Sequence, residues 1–424
     1  MTHQCSPINK VETVKIKYDS TAAGILLTMI IAATFLQKVA IPVADIQIFL
    51  GLPIIVGLTA FGFITRRLVL KSRNFILYLF MVGIIVLTQI LGGHIFSFAS
   101  MFLLIIVHCP YAFGLKANSA MPGIQFLYFQ RIMVIIAIAG ILQYAAQFII
   151  GGDIAFFLDT MFPQSIIMQG YNGTIPLQYG SSFYKSNGVF LQEPSSFSQL
   201  LAVAIVVEAI YFKNWKRVVL FLAAISLTFS GTGLIILFAL IPIYLIHYRK
   251  FFILTFLLVA VLTAPLWGTF VGLGGTINRT REFTDTRSSG YARFVSIVPT
   301  LNTYIVPQTN TFLFGLGSGS ILRTLTSNES DYEWHNPSWG KMIFEYGIIG
   351  GLAYFIFIGF VFWKGCGSVY IKAALLIQLM ILGEFVLPPT LHSLILPLLI
   401  WPTSFSYGRD YNARGKAFLL KIKH

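Results

Sequence analysis

"NFILYLFMVGIIVLTQILG", residues 74–92, carries no charged side chain and no proline. At about 1.5 Å per residue, a helix of this length covers the roughly 30 Å hydrocarbon core of a bilayer. A helix is also the one open structure that satisfies its own backbone polar groups in lipid. Similar apolar runs recur on both sides of this stretch. Spans are expected near 21–37, 45–64, 74–92, 95–113, 131–150, 196–212, 218–230, 233–247, 251–272, 339–363, 371–387 and 390–406, with tight turns at "SGTG" (230–233) and "LPPT" (387–390). Of the 424 residues, 56% are hydrophobic and 10% charged, against about 25% charged in a soluble globular chain. That deficit excludes a water-soluble enzyme. The expected fold class is all-α, a polytopic integral membrane protein of about 12 transmembrane helices.

The polar start "MTHQCSPINKVETVKIKYDS" has no cleavable signal pattern, so the first apolar run is expected to stay as a helix that directs insertion. Cys5, Cys109 and Cys366 are placed where no disulfide is expected. The net charge of +14 does not imply nucleic acid, because the basic residues are scattered through short loops and form no stripe. They read as topology signals. With the N-terminus inside, 21 of the 29 basic residues fall on one side, among them Arg66, Arg67, Lys71, Arg73, Lys116, Lys213, Lys216 and Arg217. The basic tail, 407–424, belongs to the same side, either solvated or resting on anionic membrane lipids. Two long segments, 151–195 and 273–340, then face outward as loops of a single membrane domain covering 1–424, without internal repeats. Lys38 and Lys185 are isolated on that outer side.

Positive charge on the second outer loop runs against the positive-inside tendency and so calls for a functional reason. Arg279, Arg281, Arg287, Arg293 and Arg323 stand in that segment. Guanidinium groups bind paired phosphate oxygens bidentately and need no metal, which suits a lipid-linked diphosphate. The plainer alternative pairs these arginines with Glu282, Asp285, Glu329, Asp331, Glu333 or lipid headgroups. In "EWHNPSWGKMIFEYGIIGG", 333–351, Asn336 and Pro337 read as helix N-cap and first helical residue. That reading sets His335 just above a span and Glu345 less than three turns inside it. His335 titrates near neutrality and is a candidate base or an idle loop histidine.

The alternating acids of "NESDYEWH" give a weak metal reading, because one short exposed segment seldom supplies enough ligands; no metal is expected. Glu193 precedes a span and is either a site carboxylate or a favourable charge at a helix start. Glu384 and His392 flank "LPP" and either line the same outer cavity or serve helix packing. "FGLGSGS", 314–320, has neither the adjoining strand nor the lysine of a nucleotide loop.

Four stretches in order, "GVFLQEPSSF" (188–197), "RSSGYARF" (287–294), "FGLGSGS" (314–320) and "HNPSWGKMIFEYGIIGG" (335–351), resemble the O-antigen polymerase and O-antigen ligase superfamily of polytopic membrane glycosyltransferases. The likeness covers about 165 residues of the second half. It implies a GT-C-like helical fold and transfer of a glycan from an undecaprenyl-diphosphate carrier at the periplasmic face of the inner membrane. Family arginines would map onto Arg287 or Arg293, and the family histidine onto His335. "SLTFSGTGLI" departs from the ligase branch in having Ser230 followed by Gly231, and "EPSSF" looks more like polymerases.

The expected catalytic residues are His335 and Glu193, with Arg287, Arg293 and Arg281 binding the diphosphate and Glu345, Arg279 and Asn336 as secondary candidates. No cofactor is expected. The expected partners are a lipid-linked repeat unit and, by family analogy, a chain-length regulator and a flippase. The rival readings are an O-antigen ligase acting on lipid A core, a lipid-linked oligosaccharide flippase, and a structural partner in an export complex.

Overall fold

A computed structural model describes residues 19–43, 46–116, 123–177, 180–247, 249, 288, 290–327 and 336–402 of the chain. The described chain is predominantly α-helical, and its sheet is confined to two short antiparallel pairs, Ala40–Val43 with Ile46–Phe49 and Leu68–Leu70 with Phe113–Leu115. In chain order the elements are α1 (Ser20–Phe35), β1 (Ala40–Val43), β2 (Ile46–Phe49), α2 (Gly51–Ile64), β3 (Leu68–Leu70), α3 (Ser72–Gly92), α4 (Phe98–His108), β4 (Phe113–Leu115) and α5 (Ile124–Ile150). Two single turns follow, α6 (Gly152–Ala155) and α7 (Phe157–Thr160), then α8 (Pro194–Val207), α9 (Trp215–Ser226) and α10 (Thr232–His247). The second half holds α11 (Ile297–Tyr304), α12 (Thr309–Phe314), α13 (Ser320–Ser327), α14 (Ser338–Lys364), α15 (Val369–Met380) and α16 (Pro389–Ile395).

Among the described residues, four helices are long and apolar enough to cross a membrane: α3, α5, Pro194–Phe212 and α14. Their outward faces keep large apolar groups such as Ile76, Ile90, Leu142 and Ile149 in the open, which suits a lipid surroundings better than water. Six shorter apolar helices among the described residues accompany them. The run near 45–64 is not one helix: β2 pairs antiparallel with β1 before α2 begins at Gly51. The stretch 251–272 lies outside the described residues.

Helix ends follow local chemistry. Asp19 caps α1, accepting from Thr21 N at 3.0 Å and Ala22 N at 3.3 Å, and its other oxygen meets Arg67 Nε at 2.7 Å. Ser97 caps α4 and Asn214 caps α9 in the same way. α3 stops where Gly93 takes the left-handed conformation, φ 65°.

The loops gather at two ends of the helix assembly. At one, Lys71 N donates to Ala112 O, Leu115 N to Trp401 O, and Cys366 N to Leu399 O. Several of the described basic residues expected to share one side lie here, among them Arg67, Lys71 and Arg217. At the other end Ala40 N donates to Ile166 O, Ser97 N to Ser318 O, Ser338 N to Gly383 O, and Asn310 Nδ2 to Gly92 O. The described parts of the segments 151–193 and 290–327 meet there, through Arg293 and Glu193.

One contiguous apolar core joins α1, α3, α5, α8, α14, α15 and α16, and a smaller cluster of Ile297, Ile305, Ile321 and Phe344 sits beneath the second loop. His392 belongs to that main core and not to an outer cavity. Its Nδ1 lies 2.6 Å from the Tyr111 hydroxyl, its Nε2 faces the carbonyls of Phe385 and Val386, and its ring packs edge-on to His108 at 4.8 Å.

Candidate functional site

Glu193 is extended (φ −143°, ψ 159°), and Pro194 starts α8 without needing an amide donor. The Glu193 carboxylate does not cap its own helix, so it is free to turn sideways. Its Oε2 accepts from Ser195 Oγ at 2.8 Å and meets an Arg293 guanidinium nitrogen at 3.3 Å, while Oε1 accepts from Asn172 N at 3.3 Å. Arg293 comes from a π turn, Tyr291–Val295, in the second loop. The pair is 17% and 11% exposed, so it is partly shielded from water yet reachable.

A second cluster stands on the first turns of α14. Lys341 Nζ lies 2.7 Å from Glu384 Oε1 and 3.2 Å from Glu345 Oε1, with Lys341 and Glu345 buried and Glu384 half-buried. The Lys341–Glu345 pair has the i, i+4 spacing of neighbours on one helix face. Tyr171, from the first loop, lies within electrostatic reach of both clusters. Burial, followed by the nearby carboxylates of Glu384 and Glu193, pushes its phenol well above the ordinary tyrosine range. The described part of the site therefore runs from Arg293 through Glu193 and Tyr171 to Glu384, Lys341 and Glu345.

Backbone geometry sets the depth of Glu345. α14 breaks at Gly347, whose φ 65° and ψ −175° are open essentially to glycine alone. A Cβ there would lie 2.3 Å from Leu313 O. The break leaves Phe344 O and Glu345 O without intrahelical donors, and "FGLGSGS" supplies them: Leu316 N donates to Phe344 O at 2.9 Å and Gly317 N to Glu345 O at 3.0 Å. Gly315, at φ 80°, allows this approach, because its own Cβ would lie 2.5 Å from the Tyr346 and Gly347 nitrogens. Gln89 of α3 completes the joint, donating to Glu345 O at 3.4 Å and accepting from Ser318 N at 2.7 Å. The glycine stretch is thus a backbone cradle for a kinked helix.

The first loop has its own clamp. Lys38 is not isolated: its Nζ meets Asp159 Oδ2 at 2.6 Å and donates to Val189 O at 2.8 Å. Asp159 Oδ2 also accepts from Asn187 Nδ2 at 2.9 Å, which ties the loop to the start of α8.

Among the residues singled out in the sequence, Glu193 and Arg293 come together, and Glu345 joins Lys341 and Glu384. Asn336 is not the N-cap. Pro337 occupies that position with extended backbone (ψ 148°), so the helix starts one residue later, at Ser338, and Asn336 is buried with its Oδ1 unpaired among the described residues. Arg279, Arg281, Arg287, His335 and the acids of "NESDYEWH" lie outside the described residues. Tyr171 carried no sequence signal, since nothing in "GYNG" marks it. The Lys341–Glu345 pair did carry one in its spacing.

No protein-family model matches the chain, and no curated protein matches it.

Proposed function

We propose that the chain is a glycosyltransferase of about 12 membrane spans, with its N-terminus inside and its two long loops at the periplasmic face of the inner membrane. In this reading it polymerises lipid-linked repeat units into a longer polysaccharide. The observation that carries it is the meeting of Glu193 and Arg293, brought from separate loops to one partly shielded place at 3.3 Å.

The reaction needs a base and a charge stabiliser. An acceptor hydroxyl oxygen attacks the anomeric carbon of the donor glycan, its proton passes to Glu193 or to His335, and the carbon–oxygen bond to the diphosphate breaks. The polyprenyl diphosphate leaves with the bonding pair, and direct attack inverts the anomeric centre. General base catalysis of this kind contributes roughly 10² to 10⁴ in rate. A fixed donor to the departing charge contributes about 2.7 to 4 kcal/mol. No nucleotide is required, because the diphosphate lipid is already activated.

The charge balance assigns parts. Among the described residues, Arg293 and Lys341 give +2 and Glu193, Glu345 and Glu384 give −3, a net −1. That sum does not favour a diphosphate by itself. Arg293 spends one of its five donors on Glu193 and keeps others for a phosphate, and Arg279, Arg281 and Arg287 supply the remaining charge.

The test is the purified chain in nanodiscs with undecaprenyl-diphosphate-linked repeat units. Longer lipid-linked glycans with release of free undecaprenyl diphosphate are expected. Extension of lipid A core alone makes the chain a ligase, and movement of intact lipid-linked units between leaflets without bond formation makes it a flippase.

A further inference from the structure

α5 runs for 27 residues, which at about 1.5 Å each is about 40 Å, the thickness of a bilayer with its headgroups and not of its hydrocarbon alone. The chain that follows Ile150 therefore starts at headgroup level. Gly151, at φ 89°, turns it, and α6 and α7 come next. Ile154 is 51% exposed, Phe157 41% and Met161 65%, whereas Ala155 and Phe156 are 8% and 1%. Positions 154, 157 and 161 have the three- and four-residue spacing of one helical face. Phe162 extends that face, exposed and with its ring 6.2 Å from the ring of Phe157.

The inner side of the segment is fastened. Phe156 meets the Tyr184 ring edge-on at 5.3 Å, and a Cβ on Gly152 would lie 2.5 Å from Ser182 O. Thr160 Oγ1 donates to Asp153 O at 2.6 Å, and Asp159 holds both Lys38 and Asn187. Asn187 Nδ2 also donates to Gly173 O at 2.8 Å, and the neighbouring Asn172 N donates to Glu193 Oε1. The apolar face thus has no route back into the fold, and hydrogen bonds tie the segment that bears it to Glu193.

Water is a poor neighbour for a contiguous outward face of this kind. A protein partner would have to seat on the segment and stop at Ile149 and Ile150, the exposed end of α5, where the lipid-facing side of that helix begins. Acyl chains cover both without a seam. Charge agrees with them: no Lys or Arg occurs between Arg131 and Lys185, and Asp153 and Asp159 are answered by the Tyr184 hydroxyl and by Lys38, so anionic headgroups gain nothing here.

We propose that residues 154–162 form a foot inserted into the leaflet at this end of the helix assembly, with Ile154, Phe157, Met161 and Phe162 among the acyl chains, and that the foot holds the Glu193 cluster at headgroup height. The insertion rests on this segment and on α5; that the leaflet is the periplasmic one rests on the proposed function.

The experiment is nitroxide EPR on the full chain in nanodiscs that hold one copy each, made of phosphatidylcholine with or without phosphatidylglycerol. Labels are placed singly on Ile154→Cys, Phe157→Cys and Met161→Cys, in a Cys5→Ala, Cys109→Ala, Cys366→Ala background that melts like the wild type. Leu142→Cys, on the open face of α5, and Gln164→Cys, on the polar part of the same loop, are the references. At 154, 157 and 161 dissolved oxygen is expected to reach the label better than a water-soluble nickel chelate, at a depth of about 5–10 Å below the headgroup plane. The order reverses at 164, and phosphatidylglycerol changes neither. Phe157→Trp in the chain with its own cysteines is the second measurement, and brominated phosphatidylcholine is expected to quench it beyond the loss seen in the wild type.

Nickel access above oxygen access at any of the three positions overturns the proposal, as does the absence of extra quenching in Phe157→Trp. Exclusion of both reagents would put protein over the face, and a dependence on phosphatidylglycerol would make the contact electrostatic; either result overturns it. Leu142 separates the foot from the membrane reading. Oxygen access at 142 with nickel access at 154, 157 and 161 removes the foot alone, whereas nickel access at 142 as well removes both. Lipid contact at the three positions, together with a Gln164→Cys that an impermeant maleimide reaches only after lysis, keeps the foot and moves it to the other leaflet.

Discussion

Lys341 Nζ stands 2.7 Å from Glu384 Oε1, joining the first turns of α14 to the loop that leads into α16. The same ammonium is the one cation within reach of Glu345 among the described residues, and Glu345 has no exposure at all. Removing one member of a buried pair strands the other charge. Lys341→Met is therefore expected to destabilise the protein by about 3 to 5 kcal/mol. Lys341→Met combined with Glu345→Gln is expected to recover part of that loss, seen as non-additivity in a thermal double-mutant cycle in detergent. Additive losses would show that the pair is not coupled.

Gly347→Ala places a Cβ 2.3 Å from Leu313 O in a backbone region nearly closed to other residues. The conformational cost alone is about 1 to 3 kcal/mol, and the clash adds to it. A lower unfolding temperature is expected, together with faster hydrogen exchange at Leu316 and Gly317, whose amides satisfy the broken turn. A variant that exchanges and melts like the wild type would remove the kink from the account.

Glu193→Gln keeps the size of the side chain and much of its hydrogen bonding to Ser195 and Asn172. If Glu193 is the base, the extension rate falls by roughly 10² to 10⁴ with little change in unfolding temperature. Arg287→Ala is expected to cost more than Arg293→Ala, because Arg293 already shares its charge with Glu193. An active Glu193→Gln protein would pass the base role to His335.

Tyr171 supplies a pH signature. Its phenol is held protonated in the folded chain by burial and by Glu384 and Glu193. The folded state therefore retains a proton that the unfolded chain releases above about pH 10. This contribution to stability is fully present below that pH and is lost as pH rises beyond it. Tyr171→Phe is expected to flatten the alkaline limb of a stability–pH curve, measured against the wild-type curve so that lysine titration cancels.

Gln164 is exposed at the same end as the site, on the loop bridged to the β1–β2 hairpin through Gln47. Gln164→Cys is expected to react with a membrane-impermeant maleimide in intact spheroplasts, with the unsubstituted chain as background. Labelling only after lysis would invert the proposed sidedness and put the site out of reach of a periplasmic glycan.

Much of the membrane character was legible in linear sequence. The uncharged stretch 74–92 falls within the helix Ser72–Gly92, and Arg67, Lys71 and Arg217, which counting puts on one side, lie at one end of the assembly. Boundaries were less legible where short-range chemistry competes with hydropathy. β2 interrupts an apolar run because Ile46–Phe49 pairs with Ala40–Val43, and Pro337 delays α14 by one residue. The glycines of "FGLGSGS" were visible, but their purpose was not, since the carbonyls they serve belong to a helix that begins later in the chain.

Sequence alone determined that the chain is apolar enough for lipid, which residues carry charge, and which of them stand in long polar loops, because hydropathy and charge are properties of residues taken one at a time. Tertiary structure decided which charges meet. Glu193 finds Arg293 and not its own helix terminus, Lys38 finds Asp159, and Lys341 holds two carboxylates at once. In a low-dielectric interior each buried charge must be answered within a few ångströms, and only the packing of distant segments determines what lies that close.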